Sequence, residues 1–331
     1  MTTATAVTQE KTKLDVLSLG EVVVDLISRH KVTSLADARE FSRFLGGQVT
    51  NVALNVTRLG GQAAVVACVG EDGFGVFVRE QLSAAGVTSE YVQVTSLAPT
   101  TTIIPSRQTE TPDFIVHRGS DAFITLTPAI EHVIQQARFV HTSAFAISRD
   151  PARTTILMAL QIAKGAGCRV SLDPNYHPRI WPDVDNLPEV LATTCRLVDV
   201  VKPSLDDCIR LFGPNKSPFE YVERFLEWGV AIVVLTMGRE GAIVATDQGG
   251  FFHIQPEEVE VMDVTGAGDA FWGGFLLALL DGLPPEDAAC VGQLVAEIKI
   301  RAVGPLPGPL DRAALYRELE SNKQHVMIRI Q

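Results

Sequence analysis

Short, almost unbroken runs of apolar and largely β-branched residues recur along this chain, and stretches of helical periodicity separate them. The runs lie at 14–19, 63–69, 139–143, 169–172, 198–201 and 231–235. A strand without polar alternation is one buried on both faces. The helical stretches between them fall at 49–59, 76–85, 151–164 and 221–228. This alternation predicts an α/β fold with a mainly parallel central sheet flanked by helices. With 331 residues, 46% of them hydrophobic, the chain can bury a core large enough for one such domain.

Two excursions break the pattern. Residues 28–44 and 92–125 are too long for tight connections and contain period-2 stretches at 101–104 and 113–116. Long excursions from a compact fold are often lids, and both are read as strands of one small β-strand lid. Residues 241–245 and 251–254 predict a hairpin at the sheet edge. The expected organisation is a disordered tail at 1–13, a single domain at 14–310 with its lid, and a C-terminal helix and tail at 311–331.

Composition narrows the function classes. A formal charge of −11 argues against a broad nucleic-acid surface, which needs a basic patch. The polar, threonine-rich start does not read as a signal peptide, and the longest apolar stretch, 270–280, is too short to span a bilayer. The five cysteines, Cys68, Cys168, Cys195, Cys208 and Cys290, are odd in number and lack C-x-x-C spacing. Neither a disulfide framework nor a zinc site is expected, and a reducing, cytoplasmic compartment fits.

In open parallel sheets, ligands bind beyond the carboxyl ends of the strands. The residues there are Gly20 with Glu21 and Asp25, Gly70 with Asp72, Asp173 with Asn175, Lys202 with Ser204, and Thr236 with Gly238. Polar residues and glycines also follow strands simply because turns need them. The sharpest local signal is Asp263-Val-Thr-Gly-Ala-Gly-Asp269, which opens a helix at 267–280 that is apolar nearly all round and therefore deeply buried. The free amides of its first turn and the dipole behind them make an anion site. Asp269 could merely complement that dipole. An idle carboxylate at the head of a wholly apolar helix, however, costs several kcal/mol unless compensated, which favours a working base. A second signal, Gly46-Gly47-Gln-Val-Thr-Asn51, combines a tight entry with an amide suited to sugar hydroxyls, although a glycine turn with a capping Asn accounts for it equally well. No G-x-x-x-x-G-K-[ST] occurs and no G-x-G-x-x-G follows the first strand, which sets aside a P-loop kinase and a nicotinamide-dependent dehydrogenase.

Taken in order, these segments resemble the ribokinase-like superfamily, the pfkB family of carbohydrate kinases. The resemblance runs from about Leu14 to about Leu310 and includes Cys68-Val-Gly-Glu-Asp-Gly-Phe-Gly75, Ser171-Leu-Asp-Pro-Asn175, Lys202-Pro-Ser-Leu-Asp-Asp207 and Thr236-Met-Gly-Arg-Glu-Gly241. It implies a ribokinase-like fold and transfer of the ATP γ-phosphate to a hydroxyl, expected to be a primary one, of a small sugar. By resemblance, Asp269 is the catalytic base, and the backbone of Gly266, Ala267 and Gly268 is the anion hole. Asp25, Gly47, Asn51 and Arg118 hold the sugar. Lys202, Ser204, Asp207, Thr236, Gly238 and Gly241 fall to the ATP side. Asp263 and Thr265 match part of a monovalent-cation loop, usually for potassium. Asp207 is tied indirectly to the magnesium that travels with ATP. A homodimer through the lid is also implied.

Pro99-Thr-Thr101, His117-Arg118-Gly-Ser-Asp-Ala122 and the segment from Asp173 to Trp181 look most like the fructokinase and 2-keto-3-deoxygluconate kinase branch. The chain departs from it in three places. His177 stands where an arginine often holds an acid sugar's carboxylate, and a neutral imidazole does not replace a guanidinium fork. Ser204-Leu-Asp-Asp207 replaces N-x-x-E, keeping a shortened carboxylate and losing the amide. The last family helix usually carries small residues and an Asn around Cys290-Val-Gly292; here the segment continues Val295-Ala-Glu-Ile-Lys-Ile-Arg301-Ala-Val-Gly304, so nucleotide contacts near Lys299 are not carried over. A fructose-like ketose is the expected substrate. The alternatives are a 2-keto-3-deoxygluconate or nucleoside kinase of the same superfamily, or a catalytically silent sugar-binding regulator.

Overall fold

The computed structural model describes residues 14–107, 113–181 and 186–330, so the expected tail at 1–13 lies outside the described residues. In chain order the elements are β1 (Leu14–Leu19), β2 (Val23–Ser28), β3 (Phe41–Gly46), α1 (Gln48–Arg58), β4 (Ala63–Gly70), α2 (Gly73–Ala84), β5 (Val92–Thr95), β6 (Thr102–Pro105), β7 (Phe114–His117), α3 (Pro128–Gln136), β8 (Ala137–Ser143) and α4 (Ala152–Gly165). There follow β9 (Arg169–Asp173), α5 (Leu187–Cys195), β10 (Val200–Val201), α6 (Leu205–Phe212), α7 (Pro218–Glu227), β11 (Ile232–Thr236), β12 (Ala242–Thr246), β13 (Phe251–Ile254), α8 (Ala267–Leu280), α9 (Pro285–Ile300), α10 (Arg312–Val326) and β14 (Met327–Ile330).

The large sheet has ten strands in the order β14-β13-β12-β11-β10-β9-β8-β1-β4-β5. Pairing is parallel from β11 through to β5 and antiparallel from β11 through β12 and β13 to β14. Alternation within β1 shows why its sequence had to be apolar throughout. Val16 packs into the core under α1, α8 and α9, whereas Leu17 packs into the opposite core under α3, α4, α5 and α7. In the first core α8 is buried continuously from Ala270 to Leu279, with Trp272 and Phe275 stacked at 4.8 Å between ring centroids. The second is filled by Ile134, Ile156, Leu191 and Phe225. At about 25 cal/mol per Å² of apolar surface, the two cores are what holds the sheet between its helices.

A four-stranded sheet, β3-β2-β6-β7, stands apart as the lid. Its limits differ from the sequence expectation in two ways. It begins at Val23 rather than at 28, because the chain runs out of β1 through Gly20–Val22 and re-forms a strand at once, which puts Asp25 on the lid itself. Val92–Thr95, expected within the lid, instead pairs in parallel with β4 at the edge of the large sheet, where Val92 is buried. Residues 327–330 also do more than trail from a helix. Met-Ile-Arg-Ile pairs antiparallel with β13 and covers the edge of the expected hairpin. Among the described residues no helix is long and apolar enough to cross a membrane, and all five cysteines are buried.

Candidate active site

The winding of the large sheet reverses at β1. From there the chain moves outward to β4 and β5 on one side, then returns to lay β8, β9, β10 and β11 on the other. The crevice beyond the carboxyl ends at such a switch point is the natural ligand site of an open α/β sheet. It is edged here by Glu21 after β1, Ser143 ending β8, Asp173 ending β9 and Lys202 after β10.

The entry to α1 is built by steric necessity. Gly47 has φ +105°, and a Cβ there would lie 2.5 Å from the Glu21 carbonyl oxygen. A Cβ on Gly46 would meet Asp25 Oδ2 at 2.0 Å, so the Asp25 carboxylate rests against bare backbone. The Gln48 amide donates to Glu21 Oε1 at 3.1 Å, and Ser143 Oγ donates to Glu21 Oε2 at 2.7 Å. With α1 so anchored, Asn51 in its first turn donates from Nδ2 to Asp269 Oδ2 at 2.8 Å. Burial pushes the Asp269 carboxyl up to about 7, the Asp173 charge adds to this, and Lys202, Asn51 and Gln48 oppose it. Asp25 is likewise pushed up to about 7, first by burial and then by the charge of Asp269. Two expected site residues from distant segments are thus electrostatically coupled across one crevice.

At the head of α8, Gly266 takes the left-handed conformation with φ +75° and directs the chain into the helix. The expected anion hole needs adjustment. The Ala267 amide already donates to the Val264 carbonyl at 3.1 Å, whereas the amides of Gly266, Gly268 and Asp269 have no hydrogen-bond partner among the described residues. The bare donors are therefore those of 266, 268 and 269.

Lys202 belongs with this group. Its ammonium, 5% exposed, pairs with Asp173 Oδ2 at 2.8 Å, and a Cβ on Gly268 would lie 3.4 Å from Nζ. Burial works against the charge of Lys202, but Asp173, with Asp269 and Asp207 behind it, outweighs burial and lifts its pKa above the ordinary lysine value. Beneath it runs a buried polar chain that the sequence reading missed. Trp272 Nε1 donates to Ser171 Oγ (2.9 Å), Ser171 Oγ meets His141 Nδ1 (2.9 Å), His141 Nε2 meets Gln48 Oε1 (3.1 Å), and Gln48 Nε2 donates to Asp173 Oδ2 (2.9 Å). One proton arrangement satisfies every link. Gln48 Oε1 can only accept, so His141 carries its proton on Nε2 and accepts at Nδ1 from the Ser171 hydroxyl. Burial, with the Lys202 charge beyond it, lowers the imidazole to about 3, so it is neutral. His141 and Gln48 sit inside apolar or glycine-rich segments, and only the apolar run ending in a polar His-Thr-Ser at 141–143 hinted at them.

Other expected site residues are placed differently. Arg118 leaves the lid from β7, but its guanidinium is buried against Asp121, donates to Ser148 Oγ (2.9 Å) and the Ile180 carbonyl (3.1 Å), and stacks over the Phe145 ring at 3.9 Å. That network commits it to tying the lid base to the β8 and β9 loops. Asp207 is buried and accepts from Ser204 N (2.9 Å), Ser204 Oγ (2.6 Å) and Tyr176 N (2.7 Å), so its shortened side chain caps α6 and pins the 173–176 turn. Ser204 bridges to Thr236, which brings those two strand ends together. Gly241, with φ +81° and Ile254 O 1.9 Å from any Cβ, is accounted for by the turn before β12. Gly238 opens a 3-10 turn beside it.

The loop at Asp263 and Thr265 is held by hydrogen bonds and an ion pair of the chain's own. Asp263 Oδ1 accepts from Thr265 N at 3.0 Å and Oδ2 from Gly304 N at 3.1 Å. Lys299, in the last turn of α9, donates to the Asp263 carbonyl at 2.9 Å and to Oδ2 at 3.2 Å. Burial alone would raise the Asp263 carboxyl, but those two amides and the ammonium outweigh it and hold it below the usual range. Among the described residues no group of three or more His, Cys, Asp or Glu side chains is arranged to hold a metal.

Residues 13–311 match the family model described as pfkB family carbohydrate kinase. The chain belongs to the pfkB family of carbohydrate kinases. It is 34% identical over 297 residues to the ATP-dependent 6-phosphofructokinase of Thermoanaerobacterium thermosaccharolyticum, covering 89% of this chain and 90% of that one. Among solved structures it resembles Halothermothrix orenii fructokinase, with a TM-score of 0.75, 36% identity, and coverage of 88% and 99%. A Vibrio cholerae fructokinase double mutant, described in fructose, ADP and potassium ion bound form, superposes with a TM-score of 0.79 at 27% identity, covering 92% and 98%. This kinase therefore has the ribokinase-like fold with its smaller sheet, as expected.

Proposed function

We propose that this kinase transfers the γ-phosphate of ATP to a primary hydroxyl of a fructose-like ketose held between Asp25, Asn51 and Asp269. The observation that carries the reading is the contact of Asn51 with Asp269 at the head of α8, beside bare amides and the Lys202 ammonium. Asp269 takes the hydroxyl proton. The freed oxygen pair forms a bond to the γ-phosphorus, the bond from that phosphorus to the β–γ bridging oxygen breaks, and ADP leaves with its electrons. A carboxyl poised near 7 is matched to this work at neutral pH. The amides of Gly266, Gly268 and Asp269, with Lys202, meet the charge of the transferring group. Magnesium would arrive with ATP and screen its phosphates.

Ser204, Thr236 and Gly238 form the ATP side of this reading, and Arg118 and Asp207 act as supports. The 6-phosphofructokinase relative gives a second reading, in which the ketose already carries a phosphate. The test is ADP release with fructose, fructose 6-phosphate, tagatose 6-phosphate, 2-keto-3-deoxygluconate, ribose and adenosine. Fructose is expected to exceed the rest in kcat/KM. Preference for fructose 6-phosphate would move the assignment to the second reading, and tight binding of a sugar with no turnover at all would make the protein a regulator.

A further inference from the structure

The loop that delivers α8 to the phosphoryl site is held by a positive charge that the chain supplies itself. Lys299 is 2% exposed, and its ammonium is bonded to both the carbonyl and the carboxylate of Asp263. These are oxygens of the residue that the resemblance assigned to a potassium loop, and a potassium ion is named with one structural neighbour. An ammonium and a potassium ion carry the same charge and seek the same oxygens. Both the carboxylate and the carbonyl of Asp263 are engaged by the chain itself. Besides Lys299, its carboxylate accepts from Thr265 and Gly304, and its own amide donates to the Ile300 carbonyl at 3.2 Å. A monovalent ion at these oxygens would have to displace the ammonium.

We propose that Lys299 is a tethered replacement for that ion, a positioning residue that holds the Asp263–Gly266 loop so that the bare amides at the head of α8 keep their aim without added potassium. The ammonium comes from the carboxyl end of α9, where the helix dipole favours a cation. From Asp263 the restraint passes through Thr265 and Gly266 to Gly268 and Asp269. The role in catalysis rests on the kinase reading above. The absence of an ion requirement does not, because it is also read from stability.

The experiment measures melting temperature and, where turnover is found, kcat of the wild-type protein in matched chlorides of potassium, sodium and tetramethylammonium. The expected result is no cation-specific change in melting temperature and less than about twofold variation in kcat. A potassium-specific rise in either would overturn the proposal. Lys299→Met is the complement. Its kcat is expected to fall at least about tenfold, as for a lost electrostatic support of an anion hole. Potassium or ammonium, but not tetramethylammonium, is expected to restore part of it and to raise the melting temperature of the variant. A soluble variant with undiminished kcat would also defeat the idea, and if the variant does not fold, the wild-type cation series decides alone. Should no sugar be turned over, the melting series still tests the ion replacement while the kinase reading fails separately.

Discussion

At the scale of single residues, the site concentrates negative charge where solvent is scarce. Asp25, Asp269 and Glu21 are each lifted to about 7, chiefly by burial. For Asp269 the kinetic consequence is direct. Asp269→Asn keeps the shape and removes the base, and kcat is expected to fall by about a hundred- to ten-thousand-fold in steady-state assays. The same substitution should relieve the fold. A carboxyl whose folded pKa is raised contributes stability that is complete below its unfolded value and lost as pH rises through about 7. Asp269→Asn is therefore expected to melt about 1–3 °C above wild type at pH 8 and level with it near pH 4, as read by calorimetry. Equal shifts at both pH values would show that Asp269 is not strained by its surroundings. Asp269, Asn51 and Asp25 were legible in the sequence because glycines and an apolar helix surround them. Gln48, His141 and Ser171 were not, since a polar chain inside the core leaves no period in the sequence and closes only when α1, β8 and β9 are packed.

Among elements, the lid strand β2 and the entry to α1 are one mechanical unit. Asp25 lies opposite Phe44 in the β2–β3 register, and its carboxylate leans on Gly46. Gly46→Ala puts a methyl group into that space. It is expected to cost at least about tenfold in sugar kcat/KM while leaving the KM for ATP within about twofold, because only the lid side moves. Equal losses for both substrates would place the fault in the fold as a whole. The extent of α8 follows its sequence closely, since an unbroken apolar helix beginning after Gly266 has few other ways to be buried. The lid limits were less legible. Short strands with one exposed face read alike whether they join a lid or the edge of the main sheet, and only pairing partners separate Val92–Thr95 from Thr102–Pro105.

For the whole molecule, the lid leaves large apolar side chains outside. Phe41 on β3 and Ile115 on β7, which the register places on one face of the lid, are 40% and 46% exposed. We infer that a second copy covers this face, in keeping with the dimer expected from the sequence. Sedimentation should find a dimer for the wild type and a monomer for Phe41→Asp, and a wild-type monomer at micromolar concentration would refute it. The order of the large sheet has a different consequence, for synthesis. Leu14–Leu19 is made before either of its sheet neighbours, for it sits between β4 and β8, and Leu14 pairs with Ala137. On that side the nascent strand waits for a neighbour until residue 137 has left the ribosome, an interval on the order of ten seconds at ordinary elongation rates. During it an apolar edge stays open to other chains, and the pace of translation, rather than any property of the finished enzyme, sets how long.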